Sequence, residues 1–471
     1  MFKGFLKMAV MAGCLFLGVE HIGNTCVWAE VDILREALNN NQIRVAGPEI
    51  IKKWERKRIE LYEKAGMKID LSEFYYTIPA YEILSPDFAF PAELPMLAAV
   101  DYYLPESFEL PEGDIRHLRI FLLEDGTCTG HGSECVDLTG DSLRVAINKK
   151  HIRIAYPGTI KQWEQKRIEL YEKAGLKINP ADFKYIRNDS AYEILSPDFV
   201  FPDGLSGADS VDFYLPESFQ IPEGDTWSIG IFMLEDGACL GHGFGCVQLR
   251  EDSLREAINR EHIRIVRPET IKKWAEKALA LYTEAGLEVD EVYFRKPAHS
   301  NAFEIISSGF VIPDGLAGAD SVSFYLPENL KIPPGPFGHS NMYLLKDGSC
   351  LGHGTYCTDI RDNELLRTAI NNNYIRAARP VVIKDWYKKF INVNNLKSDQ
   401  RLLDLLLNGS AFEMLSDIFI MSGELFGANS IELFVPENLN PPAGDFGHSN
   451  VFLLKDGSCI GSFNKHCVRR R

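Results

Sequence analysis

Three stretches of this chain place two thiols and an imidazole within eight residues. They read Cys128-Thr-Gly-His-Gly-Ser-Glu-Cys135, Cys239-Leu-Gly-His-Gly-Phe-Gly-Cys246 and Cys350-Leu-Gly-His-Gly-Thr-Tyr-Cys357. Two chemistries suit that grouping. Oxidised, each cysteine pair closes a tight loop whose glycines supply the unusual backbone angles. By the chain-entropy argument such a loop is worth roughly 2–3 kcal/mol. Reduced, two thiolates and one imidazole would hold zinc or copper(I), leaving one position open. A fourth copy, Cys459-Ile-Gly-Ser-Phe-Asn-Lys-His-Cys467, decides between them. It keeps both cysteines, loses the histidine and gains a residue, which a staple tolerates and a three-ligand metal site does not. The expectation is four disulfides: Cys128–Cys135, Cys239–Cys246, Cys350–Cys357 and Cys459–Cys467. No metal centre or other cofactor is assigned. His131, His242 and His353 remain as candidate ligand-binding residues, alone or with His117, His339 or His448. Disulfide-bonded cysteines are not nucleophiles. No Gly-x-Ser-x-Gly elbow is present, and nothing singles out a catalytic pair of carboxylates.

The elements that carry these loops recur. Helical tryptophans fall at Trp54, Trp163, Trp274 and Trp386, and the first cysteine of each loop at Cys128, Cys239, Cys350 and Cys459, a period of about 111 residues. That length is a whole small domain rather than a solenoid turn. Helices come first in each repeat. In the third, Asp252 or Ser253 caps a short helix, and a break is expected around Ile263-Arg264-Ile265. Pro268 then opens a second helix with Ile271, Trp274, Ala278, Leu281 and Tyr282 on one stripe, ending at Gly286. The second half is β, with Asp-Gly turns at Asp125, Asp236, Asp347 and Asp456 leading into the cysteine strand. In the fourth repeat the Tyr-x-x-Ala-Gly helix ending is missing and the next landmark, Leu396, comes about one turn early.

The reading is an α+β fold. It has four tandem small domains, each of two helices packed on a short antiparallel sheet of about three to five strands, closed by a disulfide loop. The boundaries are 30–138, 139–249, 250–360 and 361–471, with beads in a row rather than one continuous core.

Residues 1–29 read as a signal peptide. Lys3 and Lys7 precede a short apolar run, and Val27-Trp28-Ala29 offers a cleavage site. Met11-Ala12-Gly13-Cys14 is a weaker lipoprotein alternative. Cleavage after Ala29 removes Cys14 and Cys26 together and leaves eight close-paired cysteines, as an oxidising compartment favours. Removing Lys3, Lys7 and Glu20 from the totals of 50 basic and 66 acidic residues leaves a mature net charge of −17. That sign repels phosphate backbones and argues against nucleic-acid partners. The 45% apolar and 25% charged content is that of a folded protein, and no further apolar run is long enough to span a membrane.

Five polar sets persist in all four copies. They are Arg35, Arg144, Arg255 and Arg367; Asn39, Asn148, Asn259 and Asn371; Arg44, Arg153, Arg264 and Arg376; Glu82, Glu193, Glu304 and Glu413; Glu106, Glu217, Glu328 and Glu437. They are either a ligand clamp written four times or ion pairs and caps that dock helices on the sheet, and the second is preferred. Multiplicity suits avidity or a structural span more than catalysis. The expected function is a secreted or cell-surface structural or adhesive protein (periplasmic in a Gram-negative cell). It would bind protein or carbohydrate partners multivalently or self-assemble. The alternative is a secreted metal- or small-ligand-binding protein using the Gly-His-Gly loops, with a hydrolase third.

Overall fold

The computed structural model describes residues 34–69, 80–90, 100–113, 115, 118–130, 135–138, 140–177, 190–202, 205, 211–224, 226, 229–241, 246–249, 252–289, 301–317, 322–354, 356–360, 363–395, 403, 406–407, 409–421, 431–461 and 467–468. The signal peptide falls outside them. So do His117, His131 and His242.

Four five-stranded sheets of one topology follow each other along the chain. The first shows the plan: β1 (Ile43–Val45), α1 (Pro48–Lys64), β2 (Ala80–Ile83), β3 (Asp101–Leu104), β4 (Arg119–Leu122) and β5 (Cys128–Gly130), with strand order β1-β2-β3-β4-β5. β1 is antiparallel to β2 and β5 to β4, but β2, β3 and β4 run parallel. The sheet is therefore mixed, which corrects the expected antiparallel one. The segments joining the parallel strands, 84–100 and 105–118, are each longer than the dozen or so residues a crossover needs. They are proline-punctuated, and their described residues hold no α-helix, so the usual sequence mark of a parallel pair is missing. The helices do break around Ile263-Arg264-Ile265 as expected, and the break is itself the edge strand corresponding to β1.

Both faces of the sheet are covered. On one, Trp54 of α1 meets Phe121 edge-on at 4.7 Å, and Phe121 stacks on Tyr103 at 5.0 Å. The same triad recurs as Trp163–Phe232–Tyr214, Trp274–Tyr343–Tyr325 and Trp386–Phe452–Phe434. On the other face Tyr102 is ringed by Tyr81, Phe88 and Phe90, carried by β2 and the connection after it. Burying an aromatic ring of this size stabilises by about 2–3 kcal/mol.

The helical tryptophans also explain the Asp-Gly turns. Gly126 is left-handed (φ 82°), and a Cβ there would lie 2.4 Å from the backbone nitrogen of Arg58. The turn thus presses directly on α1. Trp54 Nε1 donates to Thr127 O at 3.2 Å, just beyond the turn. Trp163, Trp274 and Trp386 make the same bond to Ala238, Ser349 and Ser458.

By compactness the chain divides into two units, the first holding the first two sheets and the second the other two; Leu170–Leu176 belongs with the second. Inside each unit, consecutive segments are bonded together. α1 ends in a Schellman turn, with Gly66 N–H to Glu63 O and Met67 N–H to Tyr62 O. The carbonyl of Ala65 at that end accepts Lys161 Nζ at 2.7 Å. In the second unit Ala174 O accepts Lys272 at 2.9 Å, and Ala285 O accepts Lys384 at 2.5 Å. The lysines suit the negative end of the helix dipole. The fourth long helix is shorter, Pro380–Val393, and closes on itself: Asn394 Nδ2 donates to Phe390 O, and Asn395 takes the left-handed position.

The short helices reach backward as well. Asn148, on Asp141–Asn148, exchanges two hydrogen bonds with the backbone of Leu110. Asn371 does the same with Ile332, and Arg367 donates to Gly335 O. Neighbouring segments within a unit are therefore joined by specific bonds.

Candidate functional site: the cysteine loop and the polar row beneath it

β5 is a three-residue strand that ends on a glycine because nothing larger fits. Gly130 has φ 115°, and a Cβ would lie 1.8 Å from Leu118 O. Gly352 (φ 130°) is hemmed in the same way by Ser340 O and the Asn341 side chain. The first glycine of Gly-His-Gly, kept as Gly461 in the divergent copy, thus serves the approach of two strands.

Beyond it the chain returns beside β5. Gly130 N–H donates to Val136 O and Val136 N–H to Cys128 O; Gly352 with Thr358 and Gly461 with Val468 repeat the pattern. The extra residue in the fourth loop is absorbed without losing these bonds. The cysteines are disulfide-bonded as expected: Cys128–Cys135, Cys350–Cys357 and Cys459–Cys467 pair, and Cys239 and Cys246 are both bonded. Cys128 and Cys135 pack on Trp54, Tyr103 and Phe121. The staple therefore covers the end of the aromatic core, and no thiolate is free there for catalysis or metal.

Of the three loop histidines, His353 is described. It is exposed, and its ring centroid lies 5.7 Å from that of His339, also exposed, with ring planes inclined at 45°. The strand register creates this pairing. Asn341 stands opposite Gly352, so a residue two before one and a residue one after the other emerge at the same end of the hairpin. Among the described residues, no group of three or more His, Cys, Asp and Glu side chains is arranged to hold a metal ion.

Beneath the loops runs a row of buried polar residues that sequence comparison missed. On the helix side of the first sheet Asp101 faces Arg119, with Arg119 Nε to Asp101 Oδ1 at 2.8 Å. The corresponding pairs are Asp212 with Gly230, Ser323 with Asn341, and Glu432 with Asn450. Asp212 thus has a glycine where Asp101 has an arginine, and burial pushes its carboxyl up to about 7. Glu432 is 7% exposed, its Oε2 has no hydrogen-bond partner among the described residues, and burial raises it likewise to about 7. These residues differ from copy to copy, so a search for persistence passes over them. Their signal was a polar residue inside an aromatic strand, as in Val-Asp-Phe-Tyr-Leu at 211–215 and Ile-Glu-Leu-Phe-Val at 431–435.

Most of the persistent charges lie elsewhere and are engaged internally. Arg44, Arg153, Arg264 and Arg376 pair with Glu82, Glu193, Glu304 and Glu413 across the register of the first two strands of each sheet. They bind strand to strand rather than helix to sheet, although Thr159 and Thr270 of the long helices add a bond to Glu193 and Glu304. Glu106 pairs with Lys53, Glu328 with Lys273 and Lys277, and Glu437 with Lys389. In the third segment both sets border one cleft of about 570 Å³, lined by Arg264, Glu269, Thr270, Lys273, Glu304 and Glu328. Its charges alternate in sign and nearly all neutralise one another, so it presents no unpaired fork for an anionic ligand.

No protein-family model matches the chain, and no curated protein or solved structure matches it either. Function is therefore argued from the geometry alone.

Proposed function

We propose that this is an exported protein of four tandem, disulfide-stapled α/β domains, acting outside the cytoplasm as a multivalent binding or spacer scaffold for protein or carbohydrate partners rather than as an enzyme. One observation carries the reading: most of the residues kept in all four segments are engaged in framework and joints. The Arg–Glu pairs clamp the sheet edge, the Trp indoles hold the hairpin turns, and the lysines reach the preceding helix end. A repeated catalytic or ligand site would instead keep side chains without such duties. Four disulfides support an oxidising location, and no helix among the described residues is long and apolar enough to cross a membrane.

The joints favour a closed set over self-assembly. Lys52, the first segment's counterpart of Lys161, has no partner among the described residues, and the fourth long helix ends on its own asparagines instead of the Ala-Gly acceptor. A second copy would thus not repeat the internal joint. Fractionation of the native source with intact-mass analysis tests the reading. A chain beginning at Glu30, outside the cytoplasm, with no titratable thiol is expected; a cytoplasmic chain with free thiols would sink it. Light scattering is expected to give a concentration-independent monomer, and particles that grow with concentration would move the proposal to a self-assembling subunit.

A further inference from the structure

We infer that His339 and His353 together bind a transition-metal ion of the imidazole-preferring class, Zn²⁺ or Cu²⁺, at the exposed end of the third sheet. The first argument is separation. A metal sits about 2.0–2.1 Å from an imidazole nitrogen, which puts it roughly 3.2 Å from the ring centroid. Two imidazoles on one ion then stand about 5 Å apart at a tetrahedral angle and about 6.4 Å apart when opposite. The observed 5.7 Å lies between these limits. Both rings are exposed, so bringing a nitrogen of each onto one ion takes only side-chain rotation, and water is free to complete the shell.

The second argument is that both carriers are held rigidly and by the same residue. His339 lies in a turn closed by Ser340 N–H to Phe337 O at 2.6 Å, with Ser340 and Phe337 both buried. The next residue, Asn341, is fastened through its own N–H to Val322 O. Its side-chain oxygen accepts the N–H of Gly354, the residue after His353, at 2.8 Å. Gly352, before His353, is tied to Thr358, and Cys357 N–H donates to Gly354 O. The Cys350–Cys357 disulfide closes this loop from outside. A preorganised pair of ligands loses little freedom on binding, which separates this pair from two histidines on mobile loops. The second glycine of Gly-His-Gly lets this anchor form closely, since a Cβ on Gly354 would lie 3.0 Å from Cys357 Sγ and 3.2 Å from Asn341 Oδ1.

The other segments serve as internal comparisons. The fourth keeps the turn and its histidine, with Ser449 N–H to Phe446 O and His448 exposed, but its sequence has Ser462 in place of the loop histidine. The second has His242 but Ser228 at the turn position. By sequence, only the first repeats both histidines at the same offsets, as His117 and His131.

The test is Zn²⁺ titration by calorimetry on the full-length mature chain in a His117→Ala/His131→Ala background, with Mg²⁺ as the control for non-specific carboxylate binding. The background chain is expected to bind one equivalent of Zn²⁺ that His339→Ala or His353→Ala weakens at least tenfold, with the apo melting temperature unchanged. With Cu²⁺, electron paramagnetic resonance should show nitrogen coupling that either substitution removes. The inference is overturned if the His339→Ala/His353→Ala chain binds the same number of equivalents with the same affinity, or if the background chain binds no Zn²⁺. Should His353→Ala lower the apo melting temperature, His339→Gln, on a turn outside the staple, gives the same decision.

Discussion

Replacing Glu432 by Gln should stabilise the fourth segment at pH 8 and do little at pH 4. Glu432 lies on the inner strand Glu432–Val435, facing Asn450, and burial raises its carboxyl from 4.5 to about 7. Below about pH 4.5 the group is protonated both folded and unfolded, so it adds no pH-dependent term. Between 4.5 and about 7 the unfolded chain ionises while the folded one still holds its proton, and stability falls as pH rises. Above about 7 the loss is complete. At 1.36 kcal/mol per pH unit the gap is worth about 3 kcal/mol, an upper figure because water reaching the second carboxyl oxygen would reduce it. Glutamine keeps the shape and carries no charge, so its gain should grow from near zero at pH 4 toward that figure at pH 8. Amide hydrogen exchange of the peptide containing Leu433–Val435, followed by mass spectrometry across this pH range, isolates the effect from the other three segments. Correction for intrinsic exchange rates is needed at each pH. Equal protection of the two proteins at pH 8, or a gain as large at pH 4, would refute the argument that the carboxylate is buried without compensation.

Asp212→Asn should show the same trend in the second segment, since its carboxyl is also pushed up to about 7 by burial. Asp101→Asn should do the reverse and destabilise the first segment by about 3 kcal/mol at neutral pH, because it leaves Arg119 facing a neutral amide in a buried pair; urea unfolding of the variants checks both. Gly348→Ala puts a Cβ 2.5 Å from the backbone nitrogen of Ala278 at a φ of 82°. It should cost about 2 kcal/mol or more and lower the yield of folded protein, read by thermal denaturation. Lys384→Met removes the bonds to Ala285 O and Gly286 O. It should cost about 1 kcal/mol, seen by calorimetry as loss of cooperativity between the third and fourth segments; an unchanged transition would show that the joint lysine carries no coupling.

The internal comparison of four copies reached the parts that obey local rules. Proline at the start of the long helix and glycine after it mark its ends by chain geometry alone, and Pro268 and Gly286 stand where they were expected. Asp-Gly turns need a left-handed glycine, whatever surrounds them. Cysteines seven or eight residues apart have few alternatives, so the staples were legible too. Trp54 and its counterparts were correctly placed in the core by their position on the apolar stripe, although their bond to the turn was not visible.

Strand direction was not legible. An apolar strand buried on both faces looks alike whether its neighbour runs with it or against it, and the long proline-punctuated connections removed the usual clue. The edge strand Ile263–Ile265 was lost for a related reason. Three residues are too few to show a period, and Arg264 identifies itself only through Glu304, forty positions on. The punctuation of the chain was open to reading from residue order: where helices stop, where hairpins turn and where loops are stapled are all set by contacts within a few residues. The tertiary structure decided which distant residues share an environment. Register put Asp212 beside a glycine and Asp101 beside an arginine. It also brought His339 to His353, because Asn341 pairs with Gly352, and pairing between strands is settled by packing over the whole sheet.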